Sequence, residues 1–284
     1  HLWENGRPFE EIDERIIRDM FSEIQNRTRK ERFVMVFRKL ARIAAILLIP
    51  LLSILSGYLY FNPVDQKGSI GNLVVHADRG ERSGVTLPDG TQVKLNAESS
   101  LSYTHDFGRE LRQVNLEGEA YFEVTRNEDK PFVVHTKYLD IEVLGTSFNV
   151  YSYERENVME MALISGRIKI QTCSEPSRVV YLKPNEKALF NKESGIITVE
   201  KTDNRFETAW LRGDLVFRST TLSDVLAKLE RRYGVNIHLN DSSLANDLFT
   251  GNFDSEYIVE VMDLLERHYD FTYDVRGDDI FIHP

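Results

Sequence analysis

The adjacent residues Gly145 and Thr146, within the stretch IEVLGTSFNV, could carry out chemistry on their own backbone. The threonine hydroxyl could attack the preceding carbonyl, converting the peptide bond into an ester that water then hydrolyses. Glycine at the first position leaves that carbonyl accessible. Apolar residues occupy odd positions before this pair and even positions after it, which predicts a β-bulge or a break between strands. From these residues alone, a bulge that only redirects the strand is the favoured alternative.

Other groups that could act on a substrate do not form a recognisable constellation. Glu117, Glu119 and Glu123 share odd parity in VNLEGEAYFEV, which predicts a solvated strand face rather than paired catalytic carboxylates. The seven histidines match no metal-ligand spacing, and they are His1, His76, His105, His135, His238, His268 and His283. A GxSxG elbow, a P-loop and a dinucleotide-binding glycine pattern are missing too. We therefore predict no metal, no cofactor and no external substrate.

An apolar run at residues 43–61 is the strongest structural signal in the chain. It contains 19 residues without a charge, enough for a helix of about 28 Å that would cross the hydrocarbon layer of a bilayer. The alternative is a buried core helix. Lysine and arginine crowd the N-terminal flank, which predicts a cytoplasmic N-terminus and an exported C-terminal part. Tyr-Phe-Asn-Pro follows the run, unlike the small-residue site of a cleaved signal peptide.

Charge differs between the two sides of this predicted span. Residues 1–42 carry 10 basic and 8 acidic side chains, whereas the remainder carries 25 and 37, a net charge of −12. A strongly acidic exported part argues against direct binding of nucleic acid. Cys173 is the single cysteine, so no internal disulfide can form.

The cytoplasmic stub at residues 1–42 contains a predicted amphipathic helix at residues 8–24. Phe9, Ile12, Ile16 and Met20 fall on one side of it at helical spacing. A single helix cannot bury such a stripe alone, so it needs a partner. We expect it to be part of a truncated helical domain that docks a cytosolic protein; the alternative is a solvated linker helix.

Residues 72–203, after a linker at 62–71, show short alternating runs that predict an all-β domain. In SGVTLPDGTQVKL, a three-residue loop at Pro88, Asp89 and Gly90 would pair Val85 with Val93 on one face. A two-residue Asp-Gly loop would oppose Val93 to Thr86 and mix the faces. The three-residue loop is therefore predicted.

Several ordered motifs of this region resemble the FecR-type transmembrane anti-sigma regulators. They are TLPDGTQVKLNAESSLSY, VNLEGEAYFEV, PFVVHT, VLGTSFNV, ALISGRIKI and YLKPNEKALF. The resemblance implies a single-pass inner-membrane protein of Gram-negative bacteria. Its cytoplasmic end would hold an extracytoplasmic-function sigma factor, and its periplasmic end would respond to a TonB-dependent outer-membrane transporter. Some members of the family cut themselves at a Gly-Thr step that corresponds here to Gly145 and Thr146.

Residues 204–284 contain an internal repeat at an offset of 36 residues, as in Leu222 and Ile258 or Tyr233 and Tyr269. Each unit has the pattern strand, helix, strand, which predicts two helices on one face of a small sheet in a split βαβ arrangement. This pattern resembles the C-terminal domain of FecR-like proteins of the Bacteroidetes and the secretin/TonB short N-terminal fold.

An open sheet edge in this last domain could add a strand from a partner. We predict the strand Asp247–Phe253, with Phe249 and Phe253, as the contact for the N-terminal signalling domain of the transporter. The alternative is that both phenylalanines are core residues.

Together these patterns predict a membrane-anchored α+β chain with a helical stub, one transmembrane helix, an all-β FecR domain and a small C-terminal split βαβ-type domain. The predicted function is control of a sigma factor across the inner membrane, with proteolysis favoured as the means of transfer. A membrane-anchored periplasmic scaffold and a tethered hydrolase are the alternatives, and the missing catalytic constellation disfavours the hydrolase.

Overall fold

The computed structural model describes residues 50–53, 56, 72–240, 242–254 and 257–284. The chain forms two compact units, residues 1–69 and 70–284. Of the first unit, residues 50–53 and 56 are described, and they are helical. Within the described parts of the chain, no helix is both long and apolar enough to cross a membrane.

Several predictions about the N-terminal part fall outside the described residues. They are the stub at 1–42, the linker at 62–71 and most of the span at 43–61. The predicted partner-binding residues of the stub, Phe9, Ile12, Ile16 and Met20, lie outside the described residues as well. These remain predictions.

The second unit begins with a β domain of 13 strands, and the predicted all-β fold is confirmed for this part of the chain. The strands are β1 Leu73–Ala77, β2 Ser83–Thr86, β3 Gln92–Leu95, β4 Ser99–Tyr103, β5 Arg112–Glu123, β6 Phe132–His135, β7 Leu139–Val143, β8 Ser147–Ser152, β9 Val158–Ser165, β10 Ile168–Thr172, β11 Val179–Leu182, β12 Glu186–Asn191 and β13 Ile196–Lys201.

The long strand β5 belongs to two layers. Its first half lies in the order β1-β4-β5-β6-β7-β10-β11, and its second half in the order β2-β3-β5-β8-β9-β12-β13. The change of layer occurs at Gly118, where φ is +93° and a Cβ would lie 2.7 Å from Cα of Ser99. Between the layers, the rings of Phe122 and Phe148 stack at 4.9 Å, and Phe132 meets Phe122 edge-on at 6.1 Å.

The predicted three-residue loop between β2 and β3 is confirmed. Val85 pairs with Val93, and the Leu87 N–H donates to the Thr91 carbonyl at 2.8 Å. Gly90 takes φ +84°, the left-handed conformation that this type of loop requires. The Asp89 carboxylate accepts hydrogen bonds from the Thr91 N–H and hydroxyl, both at 2.9 Å, and thereby fixes the turn from within.

The C-terminal domain contains the two predicted helices, each preceded and followed by strands. Its elements are a 3-10 helix Ala209–Arg212, β14 Leu215–Thr221, α1 Leu222–Tyr233, β15 Asn236–Leu239, a 3-10 helix Ser242–Asn246, β16 Leu248–Phe253, α2 Ile258–Tyr269, β17 Thr272–Arg276 and β18 Asp279–His283. Thr221 caps α1 by accepting from the Asp224 N–H, and Gly234 ends it at φ +71°. The apolar stripes of both helices face one common core.

The expectation of a single small sheet is wrong. The first strands of the two repeat units, β14 and β16, pair with each other, whereas the last strands, β15 and β17, both pair with β18. Strand β15 is parallel to β18 and β17 is antiparallel to it. Two separate sheets result because β18, which lies outside the repeat, provides the second pairing surface.

Candidate functional site

The Gly145–Thr146 pair lies in the short connection between β7 and β8, so the predicted break between strands is confirmed. The Thr146 side chain is buried, and its hydroxyl donates a hydrogen bond to the Arg167 carbonyl at 3.1 Å. The backbone on either side is held by a neighbouring segment: the Val124 N–H donates to the Thr146 carbonyl at 3.0 Å, and the Asn127 N–H donates to the Leu144 carbonyl at 2.7 Å.

Two glycines allow the backbone to approach this step closely. A Cβ on Gly145 would lie 2.7 Å from Cα of Arg126. A Cβ on Gly166, which has φ +93°, would lie 2.7 Å from the Thr146 hydroxyl and 2.9 Å from the Gly145 carbonyl oxygen. Contacts this short do not occur for a real Cβ, so both positions need glycine. The Gly145–Thr146 bond is therefore enclosed by backbone from two sides.

Arg112, the first residue of β5, fixes the segment that covers this step. Its side chain is 2% exposed. Nη1 donates to the Thr125 carbonyl at 2.7 Å and to the Asp89 carboxylate at 3.0 Å, while Nε donates to the Lys130 carbonyl at 2.8 Å. A weaker bond at 3.3 Å reaches the Asn127 carbonyl. One guanidinium thus ties both ends of β5 and the segment 124–130 together.

The sequence interpretation missed Arg112, although a signal was present. It shares even parity with the apolar residues Val114 and Leu116, and all three side chains are buried. A charged residue on the inward face of a strand indicates a buried ion pair or hydrogen-bond network.

The Thr146 hydroxyl donates its hydrogen bond to a main-chain oxygen, the Arg167 carbonyl. Among the described residues, no side-chain base is recorded in a hydrogen bond with that hydroxyl. Within the same described ranges, no group of histidine, cysteine, aspartate and glutamate residues could hold a metal ion.

The prediction of a solvated face for the three glutamates is right for Glu117 and Glu123 but wrong for Glu119, which is 7% exposed. Its two carboxylate oxygens accept hydrogen bonds from Nδ2 of Asn96 at 2.8 Å and Nδ2 of Asn149 at 2.9 Å. Burial raises the pKa of Glu119, and these two amides oppose the shift. One of these amides, Asn149, is itself bound by Trp210.

Trp210 lies in the 3-10 helix Ala209–Arg212 at the start of the C-terminal domain and is 6% exposed. Its indole Nε1–H donates to the Asn149 side-chain oxygen at 3.0 Å. This bond orients the Asn149 amide so that its nitrogen donates to Glu119. Trp210 therefore anchors the start of the C-terminal domain on the β domain through Asn149 of β8.

Helix α1 makes a second contact with the β domain through Arg231. Its Nη2 donates to the Tyr151 hydroxyl at 3.0 Å and to the Glu156 carboxylate at 2.8 Å, and the guanidinium lies 4.2 Å over the Tyr153 ring. The Gly80 N–H also donates to the Arg231 carbonyl at 2.7 Å. A buried ion pair, a cation–π contact and a main-chain bond thus join the two domains.

Phe249 and Phe253, the predicted contacts for a partner, lie in the core of the C-terminal domain. They are 8% and 5% exposed, and their rings stack at 5.4 Å and each meet Phe217 edge-on at 5.9 Å. Their side chains are therefore not free to bind a second protein. Among the described strands β16 pairs with β14 alone, and Leu248, which is 62% exposed, lies on its outer face.

Comparisons with known proteins match both domains. The family described as FecR protein matches residues 74–169, and the family described as FecR, C-terminal matches residues 214–282. Two crystal structures of a protein from Parabacteroides distasonis ATCC 8503, provisionally described as an anti-sigma factor, are each 34% identical to this chain. One aligns over 74% of this chain and 98% of its own with a TM-score of 0.68, the other over 75% and 99% with 0.69. A comparison with curated proteins gave no match.

Proposed function

This chain belongs to the FecR family of anti-sigma factors, and from this premise we propose that it is a single-pass inner-membrane regulator of an extracytoplasmic-function sigma factor. The observation that carries the proposal is the succession, in one chain, of an apolar run at 43–61 and the two family domains. The stub at 1–42 would hold the sigma factor through Phe9, Ile12, Ile16 and Met20. Domains 72–203 and 204–284 would lie in the periplasm.

The periplasmic partner in this proposal is the N-terminal signalling domain of a TonB-dependent transporter. The unpaired edge of β16 in the described structure supports strand addition there, because main-chain donors and acceptors at an open edge can bind another strand. With Phe249 and Phe253 in the core, the affinity would come from the backbone and from outward-facing residues such as Leu248. Those two phenylalanines would keep the strand in place rather than contact the partner.

Proteolysis is the proposed means of carrying the signal across the membrane. A single helix transmits bending or rotation poorly, whereas cuts in the exported part would expose the span to an intramembrane protease that frees the stub. Cleavage at Gly145–Thr146 could prepare the chain for this step. The enclosed hydroxyl beside the Gly145 carbonyl supports the proposal; the reaction would form an ester, move the hydroxyl proton to the Thr146 nitrogen and consume one water.

Replacing Thr146 with alanine should abolish self-cleavage, because no oxygen nucleophile remains. We expect wild type to give two fragments on a denaturing gel and Thr146→Ala to give one intact chain. Thr146→Ser keeps the hydroxyl and serves as the matched control, so it should still be cut. Identical gel patterns for wild type and Thr146→Ala would reject self-cleavage at this bond.

Purification of the whole chain from native membranes through a C-terminal tag tests the proposed function. We expect mass spectrometry to find a sigma factor and a TonB-dependent transporter. Ile16→Ser with Met20→Ser should lose the sigma factor and keep the transporter, because only the apolar stripe of the stub changes. Glu14→Gln, on the opposite side of that helix, should keep both. Recovery of envelope assembly proteins without any sigma factor would instead favour the periplasmic scaffold.

A further inference from the structure

A cleft of about 760 Å³ lies between the β domain and the C-terminal domain. Its walls include the turn after β1, the end of β13, the 3-10 helix with Trp210, and helix α1. The volume falls within the range of about 300–1,000 Å³ that ligand sites occupy. Sites for small molecules are lined mostly by apolar side chains, whereas charged and polar residues predominate here.

Five cations that line this cleft have no ion-pair partner among the described residues. They are Arg82, Lys201, Arg218, Lys228 and Arg232. Arg82 donates only to the side-chain oxygen of Asn96, at 3.2 Å. Lys228 lies over the rings of Tyr151 and Phe217, at 5.4 and 5.9 Å. The Arg232 Nε is buried and has no hydrogen-bond partner, an arrangement that native structures usually avoid.

The acids of the cleft are mostly engaged elsewhere. Lys187 binds both Glu160 and Glu207, each at 2.9 Å, and the two amides described above bind Glu119. Asp203 and Asp214 pair with arginines outside the cleft lining, at 3.8 and 3.1 Å. Glu200 remains, and it lies on the exposed strand β13. In a chain of net charge −10, the cleft therefore holds a local excess of unpaired positive charge.

Arg82 and Arg232 also act on each other. Burial and, after it, the positive charge of Arg232 lower the pKa of Arg82, while the negative charge of the Glu119 carboxylate opposes the shift. Two guanidinium groups that repel each other beside an unsatisfied buried donor form a natural position for a carboxylate, which can accept from an arginine with two oxygens at once.

We propose that this cleft binds an acidic segment of a partner polypeptide. One carboxylate would lie between Arg82 and Arg232, and another would contact Arg218 or Lys228. Charge complementarity argues for this occupant, because an acidic segment supplies several carboxylates along one chain and supplies backbone groups for the polar walls. The natural source of the segment rests on the proposed function, since it would belong to a periplasmic partner. The binding chemistry itself does not depend on that partner.

Trp210 lines the cleft beneath Arg82, whose guanidinium lies 5.8 Å from the indole centre, so its fluorescence can report binding. The chain contains two tryptophans, and Trp3→Phe leaves Trp210 alone. We would titrate this whole chain in detergent with a synthetic peptide of four Glu-Gly pairs. The matched peptide of four Gln-Gly pairs has the same length and no charge. We expect saturable quenching or enhancement with the first peptide and none with the second.

Lys228→Gln with Arg232→Gln should weaken binding of the acidic peptide by about tenfold or more, because two charge-assisted contacts are lost. Lys94→Gln with Lys183→Gln changes the net charge equally at exposed sites outside the cleft, and the affinity should stay within about twofold. Arg218→Gln, at an exposed position where the guanidinium lies over the Phe206 ring, gives a second test that leaves Arg231 and Trp210 unchanged.

Absence of saturable binding, or equal weakening by the cleft pair and the control pair, would overturn the proposal. The purification tests the proposed function and this titration tests the cleft, so each result is interpreted independently of the other. Recovery of the sigma factor without peptide binding would reject the acidic-segment site alone. Peptide binding without a sigma factor would reject the proposed function and leave the cleft as a site for acidic polypeptide.

Discussion

Arg112→Met is expected to lower the free energy of unfolding of the unit at residues 70–284 by about 3–5 kcal/mol, the usual cost of removing one partner from a buried ion pair. Methionine fills a similar volume but donates no hydrogen bond. Asp89 would keep a charge on a side chain that is 13% exposed, and the carbonyls of Thr125 and Lys130 would lose their donor. An unsatisfied buried acceptor costs more than the net gain from the bond it replaces.

Chemical denaturation of the whole chain in detergent, followed by far-ultraviolet circular dichroism, measures this effect. Arg109→Met is the control, because Arg109 lies on the loop before β5 and is exposed; it should change stability by about 0.5 kcal/mol or less. A loss below about 1 kcal/mol for Arg112→Met would mean that the segment 124–130 holds its position without the guanidinium.

The same substitution should also affect the Gly145–Thr146 step. The segment that Arg112 holds donates to the carbonyls of Leu144 and Thr146. If self-cleavage depends on the backbone geometry of this step, a looser segment should slow it. Arg112 would then be a positioning residue for that bond, although it does not touch the Thr146 hydroxyl.

Features governed by local chemistry could be predicted from the sequence. The loop at Pro88–Gly90 follows from the residues of the turn itself and from the parity of the valines beside it. The helices at Leu222–Tyr233 and Ile258–Tyr269 follow from a helical repeat of apolar residues. In each case the residues that specify the element lie within it or directly beside it in the sequence.

Features that depend on distant contacts could not be predicted in the same way. Parity predicted a solvated face for Glu119, but Glu119 is buried and bound by the amides of Asn96 and Asn149, the second of which Trp210 holds. Parity reports only which side of a strand a residue occupies, not what packs on that side. The enclosure of Gly145 and Thr146 by Arg126 and Gly166 is equally invisible in the spacing of their own strand.

Phe249 and Phe253 of β16 show the same limit of parity: they were predicted to contact a partner, and they are buried in the core. A strand edge with aromatic residues is typical of a recognition site, yet parity alone cannot distinguish an aromatic residue that faces a partner from one that faces the core. Phe217, on the paired strand β14, contacts both rings edge-on, which shows that they face the core. The open edge of β16 remains as the candidate for strand addition.

Trp210→Ala is expected to lower the free energy of unfolding by about 3–5 kcal/mol, as large-to-small changes of buried aromatic residues do. The cavity would form at the junction of the domains, and the Asn149 oxygen would lose its donor. Because Asn149 also donates to the buried Glu119 carboxylate, the loss would spread from the junction to β5. Hydrogen exchange should show faster exchange in α1, whose Arg231 docks on the same domain.

Trp210→Phe shifts the balance between the two contributions, because it keeps an aromatic ring in the junction and removes the indole N–H together with part of the ring system. It should cost about 1–3 kcal/mol, the penalty for one unsatisfied buried acceptor. Trp3→Phe, the same change at the other tryptophan, controls for loss of an indole elsewhere in the chain. If Trp210→Phe destabilises as much as Trp210→Ala, the hydrogen bond to Asn149 outweighs packing. If neither substitution lowers the free energy of unfolding by more than about 1 kcal/mol, Arg231 and the Gly80 contact hold the domains together without Trp210.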